Sequence, residues 1–253
     1  MIARGAEESR AAIGLLTRIP VATASVDRPG AAAFGIVGVL LAGVAAIPLV
    51  VLAGPADEPV LGSIAAIAVL IVLSGAMHLD GLADTADALV ARDAEAAKRA
   101  RKDPAVGPGG LAAVVLVLAA DVAALASIAT TSAPIDAAWT LVAAAGVSRV
   151  LPVALVWATP QPATPDGFGS WFASHVSTGE VTVALVTAVA AVVALGIATR
   201  PSLAIALAIG AAAGGVVTWL VALRRGSLDG DVLGASIELA LVSMLGATAI
   251  AIR

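Results

Sequence analysis

Seven long apolar segments dominate the sequence, and each is close to the roughly 20 residues that an α-helix needs to cross a bilayer. Hydrophobic residues make up 60% of the 253 positions and charged residues only 13%, which leaves too little polar surface for a soluble domain. Because lipid offers no partner to an unpaired backbone group, we expect each segment to be a helix. The sequence predicts an all-α, polytopic membrane bundle of about seven transmembrane helices. The segments lie at about 34–54, 59–77, 110–131, 134–157, 180–199, 202–223 and 231–250.

The stretch before the first apolar segment, residues 1–33, is too charged and its apolar stripe too short to span a membrane. It predicts an interfacial amphipathic helix that ends at Pro20. It lacks the long apolar core and small-residue cleavage site of a secretory signal, so we expect it to remain in the mature protein. The chain is interpreted as a single membrane-embedded catalytic domain over 1–253, with the bundle at 34–250.

The composition excludes several classes of site and partner. The chain has no cysteine, which excludes a disulfide framework, a thiolate metal site and a cysteine nucleophile. Its net charge is −4 and it has no basic face, so no nucleic-acid partner is expected.

The basic residues predict the orientation of the bundle. Of the 14, only Arg200 and Arg253 fall in segments on the predicted outer side, and Arg149 lies inside an apolar segment. Because positive loops stay inside, the N-terminus and the segments 78–109 and 224–231 are predicted to be cytoplasmic.

Three aspartates form the sharpest motif in the sequence. Asp80, Asp84 and Asp87 stand at positions i, i+4 and i+7, on one face of a helix. No basic residue lies between positions 78 and 91, so their mutual repulsion favours a divalent cation, and oxygen ligands favour Mg²⁺ or Mn²⁺ over Zn²⁺. A solvated helix end is the alternative, which the apolar neighbours argue against. His78 is a candidate base or phosphate donor, although a lone interfacial histidine is more often only hydrogen-bonded.

A basic run at 98–102 is followed by Asp103 and by a loop with Gly107, Gly109 and Gly110. Cationic side chains, backbone amides and a helix N-terminus together suit a phosphate group. Anchoring on anionic lipid would also explain the basic run. Asp103 is a candidate further metal ligand.

Further charges lie in or beside the later apolar segments. Arg149 is too far from a helix end to reach water, so we expect it to face the bundle interior and an anion. Asp121 is similarly embedded, and its simplest reading is a structural pair with Arg149 or a backbone donor. Asp231 and Glu238 share one face at i and i+7 and could complete a second metal or substrate position.

Taken together, these motifs resemble the cobalamin synthase family, also called the adenosylcobinamide-GDP ribazoletransferases, over nearly the whole chain. The motifs that carry the resemblance are Leu16 to Pro20, His78 to Asp87, Lys102 and Asp103 with Gly107 to Leu111, Ser148 and Arg149, and Gly230 to Ala235 leading to Glu238. The departures from the family pattern are Pro104, Ala105, Pro108 and Leu241.

The resemblance implies an enzyme of cobalamin assembly. In that reaction a hydroxyl of α-ribazole, or of its 5′-phosphate, attacks the corrinoid-side phosphorus of adenosylcobinamide-GDP and releases GMP. Mg²⁺ would be the cofactor. The implied metal ligands are Asp80, Asp84, Asp87 and Asp103. The implied catalytic residues are His78, Lys102 and Arg149, and the substrate contacts are Arg18, Gly107, Gly109, Gly110 and Asp231.

Two other functions fit parts of the pattern. A CDP-alcohol-type lipid phosphotransferase uses a similar carboxylate stripe, but here Ala83 is followed by Asp84 instead of arginine. A cation-coupled transporter would explain Asp121, Arg149 and Glu238, yet no internal repeat is visible. The expected location is the bacterial inner membrane, in contact with its lipid, with the active face in the cytoplasm. A homo-oligomer is compatible with the sequence.

Overall fold

The computed structural model describes residues 2–21, 28–92, 105–159 and 167–253. Its described residues form α-helices, a single 3₁₀ turn at Ala31–Ala33 and no strand, which confirms the predicted all-α class. The helices are α1 Ile2–Leu16, α2 Phe34–Ala53, α3 Pro59–Ser74, α4 Met77–Val90, α5 Pro108–Thr131, α6 Pro134–Ala158, α7 Phe168–His175, α8 Thr178–Ala198, α9 Pro201–Arg225 and α10 Gly230–Ala251.

Within the described ranges, six helices are each long and apolar enough to cross a membrane: α2 with its 3₁₀ turn, α5, α6, α8, α9 and α10. The remaining predicted segment, 59–77, differs from a simple span. Its helix α3 stops at Ser74 after 16 residues, and α4 follows at an angle of 92°. The polytopic architecture is therefore confirmed, with α3 and α4 forming a bent pair.

Helices α6 and α10 form the centre of the bundle. Their most apolar windows are 67% and 61% buried, whereas that of α5 is only 22% buried. Helix α9 lies close to α10 because glycines line the contact. A Cβ at Gly210 would lie 2.5 Å from the Cα of Met244, and one at Gly214 would lie 2.7 Å from the Cα of Ala240. Only residues without a side chain permit this approach.

The bend between α3 and α4 depends on two consecutive left-handed residues. Gly75 has φ 66° and Ala76 has φ 58°. The left-handed region costs an alanine roughly 1–2 kcal/mol, so the surrounding packing must hold this turn in place. The side chain of Arg18 covers it closely: a Cβ on Gly75 would lie 2.1 Å from the Cγ of Arg18.

The N-terminal helix packs over this bend. It ends at Leu16 and not at Pro20 as predicted, because the amide of Ile19 donates to the Thr17 hydroxyl oxygen at 3.0 Å instead of to a carbonyl one turn earlier. The amide of Arg18 next donates to the carbonyl of Leu73 at 3.1 Å. The N-terminal segment is thereby fixed to the end of the bundle that carries α4.

Candidate active site

Helix α4 has two chemically different faces. His78, Leu82 and Thr85 are buried, whereas Asp80 is exposed and Asp84 is half-buried. At 3.6 residues per turn, His78 and Asp80 are about 200° apart around the helix. The three aspartates share one face, as the spacing predicts, but the structure places His78 on the opposite face. His78 therefore does not join the aspartates in one cluster.

Asp80, Asp84 and Asp87 together form an acidic stripe on α4. A close crossing of α4 and α10 brings the carboxylate of Asp231 next to this stripe. Helices α4 and α10 meet at two glycines, where a Cβ on Gly81 would lie 2.8 Å from the carbonyl oxygen of Asp231 and 3.3 Å from the Cα of Gly234. Asp84 interacts electrostatically with Asp231 as well as with Asp80. Asp231 thus lies beside the stripe, where the sequence analysis expected a substrate contact.

The last residue of α9 is an arginine beside this site that the sequence analysis did not select. Arg225 donates to Asp229 Oδ2 at 2.7 Å, and its Nη2 lies 3.9 Å from Asp231 Oδ2. Its side chain is only 5% exposed, and its Nη1 has no hydrogen-bond partner among the described residues. The electrostatic field of Arg225 also reaches Asp84. The clue in the sequence was its place four residues before Asp229, the N-cap of α10.

Asp87 has a role that local spacing did not reveal. Its Oδ2 accepts a hydrogen bond from the Gly107 amide at 2.7 Å, and its Oδ1 accepts one from the Gly110 amide at 2.9 Å. Since Gly107, the N-cap of α5, makes no side-chain cap, Asp87 satisfies amides that would otherwise lack a partner. In the structure these two amides bind a carboxylate, and their predicted contact with substrate stays a prediction. A substrate contact from Gly109 stays a prediction.

The glycine loop is shaped by this carboxylate. A Cβ on Gly107 would lie 2.4 Å from Asp87 Oδ1, and one on Gly110 would lie 2.5 Å from Asp87 Oδ2. One on Gly109 would lie 3.1 Å from Oδ1. The glycines therefore allow α4 and the start of α5 to approach.

Arg18 and Asp80 share a cavity of about 570 Å³. Its walls come from the bend after α3, from α4 and from the start of α5, and include Ala83, Val106 and Leu111. The structure therefore brings the predicted substrate contact Arg18 to the acidic stripe.

The described residues contain no group of three or more His, Asp or Glu side chains that could hold a metal ion by themselves. Asp80, Asp84 and Asp87 are thus not a closed three-carboxylate site. Lys102 and Asp103 lie outside the described residues. The donor set still suits Mg²⁺, which is commonly bound by one or two carboxylates, water and substrate phosphates.

Arg149 lies in the interior of the bundle, as predicted, and is 1% exposed. Its Nη1 donates to Ser148 Oγ at 3.0 Å, while its Nε has no hydrogen-bond partner among the residues that the structure describes. Glu238 is the acidic group that acts on it most strongly, followed by Asp121. Within the described ranges, neither Asp121 carboxylate oxygen has a hydrogen-bond partner, so the expected direct pair with Arg149 is not formed.

His78 also lies close to these buried charged residues: its Nδ1 is 3.8 Å from Glu238 Oε1. Arg149 also acts electrostatically on His78. Arg149, His78 and Glu238 thus form a group of interacting charges in the interior of the bundle.

This fold and this acidic site at one end of the bundle define a polytopic membrane protein suited to phosphate chemistry. Comparison with known proteins narrows the class. The model of the family described as cobalamin-5-phosphate synthase matches residues 8–249. The chain belongs to this family.

Curated relatives named adenosylcobinamide-GDP ribazoletransferase match along most of the chain. The one from Allorhizobium ampelinum is 32% identical over 247 residues, 95% of each chain. The one from Halorubrum lacusprofundi is 35% identical over 257 residues, 96% of each chain. The one from Thiobacillus denitrificans is 35% identical over 237 residues, 90% of this chain and 88% of the relative. No solved structure matches the chain.

Proposed function

We propose that the protein is an adenosylcobinamide-GDP ribazoletransferase that acts in cobalamin assembly. The observation that carries this proposal is the match to relatives of that name over 95% of both chains. The acidic stripe, flanked by Arg18 and Arg225 at one end of the bundle, supplies groups suited to a diphosphate substrate.

In the proposed reaction, a hydroxyl oxygen of α-ribazole or of its 5′-phosphate forms a bond to the corrinoid-side phosphorus of adenosylcobinamide-GDP. The bond from that phosphorus to the bridging oxygen breaks, and GMP leaves with this oxygen. Such a transfer depends mainly on positioning and on neutralisation of phosphate charge. The site must therefore supply cations, an orienting surface and an acceptor for the hydroxyl proton.

Asp80 and Asp84 are the proposed holders of Mg²⁺, since their carboxylates face away from the bundle interior. Asp87 could add a ligand, because each of its oxygens keeps a lone pair after accepting one amide. Asp103 stays a proposed further ligand. Mg²⁺ bound here would neutralise charge on the phosphoryl oxygens.

Arg225 is proposed to contact the diphosphate through its buried Nη1, which has no hydrogen-bond partner in the described part of the chain. Arg18 is proposed to approach the same region through the cavity that it shares with Asp80. Lys102 keeps its proposed phosphate role. Arg149 is 1% exposed within the bundle, and we propose that it acts on the site by positioning its neighbours.

A carboxylate of the stripe is the proposed acceptor of the hydroxyl proton. His78 was the other candidate, but it lies on the opposite face of α4. The site is further proposed to face the cytoplasm across the bacterial inner membrane, as the distribution of basic residues predicts.

The function is tested with purified protein in lipid nanodiscs. Adenosylcobinamide-GDP and α-ribazole are supplied with Mg²⁺, and GMP and the joined corrinoid are measured. The proposal predicts equal amounts of both products. A CDP-alcohol phosphotransferase would instead release CMP from CDP-activated lipid, and a transporter would release no nucleotide.

A further inference from the structure

A second, smaller cavity lies on the other side of the first turn of α4. Its volume is about 260 Å³, and α1, α4, α7 and α10 all contribute to its walls. The chain has only three phenylalanines, Phe34, Phe168 and Phe172, and all of them line this cavity. The ring centroids of Phe168 and Phe172 are 5.8 Å apart, and those of Phe34 and Phe172 are 5.7 Å apart. All of the chain's phenylalanines thus meet at this cavity.

The side chains that line the cavity are mostly apolar, and backbone polar atoms add to its surface. Leu16, Pro152, Leu233 and Ile237 are among them, and among the described residues His78 is the only lining residue whose side chain carries nitrogen or oxygen. His78 is 5% exposed, and its Nδ1 has no hydrogen-bond partner in the described part of the chain. A complementary ligand is therefore planar and apolar, with about one group that pairs with an imidazole.

The size and polarity of the cavity indicate which part of the proposed substrates fits it: the corrin ring, the guanine or the dimethylbenzimidazole base. Sites for whole ligands usually measure about 300–1,000 Å³, so this cavity suits a fragment and is too small for a corrin ring. Guanine carries several donors and acceptors, more than the one polar side chain of this cavity can pair, and unpaired groups are costly to bury. A dimethylbenzimidazole base has an apolar methylated ring and a single unsubstituted ring nitrogen, which accepts one hydrogen bond.

The cavity also lies next to the acidic site. Met77 lines both this cavity and the one that contains Arg18 and Asp80. Gly230 and Gly234, which flank Asp231, lie in its wall as well. A nucleoside whose base occupies the aromatic cavity would have its ribose at the edge of the carboxylate site.

We propose that this cavity binds the benzimidazole base of the ribazole acceptor, with Phe168 and Phe172 against the ring and His78 donating to its free nitrogen. This inference rests on the proposed function and assigns one of its substrates to a place. It also gives buried His78 a binding role behind α4.

The test measures binding without turnover. Protein in nanodiscs is titrated with α-ribazole by calorimetry, with no corrinoid present. Phe168→Leu is the main variant, because Phe168 is 46% exposed and its replacement should leave the fold intact. Trp219→Leu is the matched control, since Trp219 is equally exposed, at 46%, and lies outside the cavity.

We expect Phe168→Leu to weaken α-ribazole binding about tenfold, as loss of an aromatic contact to a base commonly does. The KM for α-ribazole should rise in parallel, while the KM for adenosylcobinamide-GDP stays unchanged. Trp219→Leu should leave both constants unchanged.

Unchanged affinity and KM for α-ribazole in Phe168→Leu, with normal turnover in the wild type, would overturn the cavity assignment and leave the proposed function standing. A rise in the KM for adenosylcobinamide-GDP alone would assign the cavity to the other substrate. If the wild type neither binds α-ribazole nor releases GMP, the proposed function fails and the inference fails with it.

Discussion

The carboxylate of Asp87 accepts a hydrogen bond from the amide of Gly107 at 2.7 Å, which joins α4 to the N-terminus of α5. The three aspartates of α4 therefore do not have equivalent roles. Removing the Asp87 side chain leaves helix amides without their partner, so Asp87→Ala should lower the free energy of unfolding by about 1–2 kcal/mol. Asp80→Ala, at an exposed position, should change it by less than about 0.5 kcal/mol. Thermal unfolding in one detergent compares the two, and equal destabilisation would contradict the capping role.

Asp80 and Asp84 should matter more for activity than for stability. Asp80→Asn and Asp84→Asn keep the side-chain volume but remove a negative charge from the proposed metal and phosphate site. We expect each to reduce GMP release by about 100-fold or more while the unfolding temperature changes little. Near-normal rates in both variants across a Mg²⁺ titration would exclude a metal-binding role for them.

The glycine loop provides a steric test. Gly110→Ala would place a Cβ 2.5 Å from Asp87 Oδ2 and 2.8 Å from the carbonyl oxygen of Ala83, so α4 and α5 must separate. We expect loss of stability and of activity. Gly246→Ala is the matched control, because nothing lies within 4 Å of its added Cβ. Destabilisation of the control to the same extent would refute the steric explanation.

The coupling energy of Arg149 should differ between its two acidic neighbours, Glu238 and Asp121. Arg149 is influenced more strongly by Glu238 than by Asp121. In double-mutant cycles built from leucine variants, the coupling of Arg149 to Glu238 should therefore exceed its coupling to Asp121, within the range of about 0.5–3 kcal/mol that contacting residues show. Unfolding temperatures of the single and double variants supply the energies. A larger coupling to Asp121 would restore the pair that the sequence suggested.

Orientation can be measured by labelling, because the native chain has no cysteine. Ala56 lies in the exposed connection between α2 and α3, and Arg92 is exposed after α4. A membrane-impermeant maleimide should label Ala56→Cys in intact cells and Arg92→Cys only after permeabilisation. The reverse pattern would invert the proposed topology.

The sequence predicted those features that depend on local periodicity. The length of each apolar segment determined the helices, and the spacing of Asp80, Asp84 and Asp87 placed them on one face. The bend after α3 escaped prediction because the apolar segment continues through it, and the left-handed φ of Ala76 has no local signature.

The sequence also could not predict contacts between residues that are far apart along the chain. Asp87 and Gly107 are 20 positions apart, and their pairing depends on how α4 meets α5. Phe34 and Phe172 meet only because α2 and α7 are neighbours in the bundle. Residue spacing along one helix contains no information on such pairings, so the aromatic cavity could not be anticipated.

The central claim is that the acidic end of the bundle joins ribazole to an activated corrinoid. The most direct measurement follows GMP release from adenosylcobinamide-GDP by purified protein, with and without α-ribazole. The account predicts release that requires α-ribazole, equals the amount of joined corrinoid, and is lost in Asp84→Asn although that variant remains folded. Absence of GMP release by folded wild-type protein with Mg²⁺, adenosylcobinamide-GDP and either α-ribazole or its 5′-phosphate, or full activity of Asp84→Asn, would contradict it.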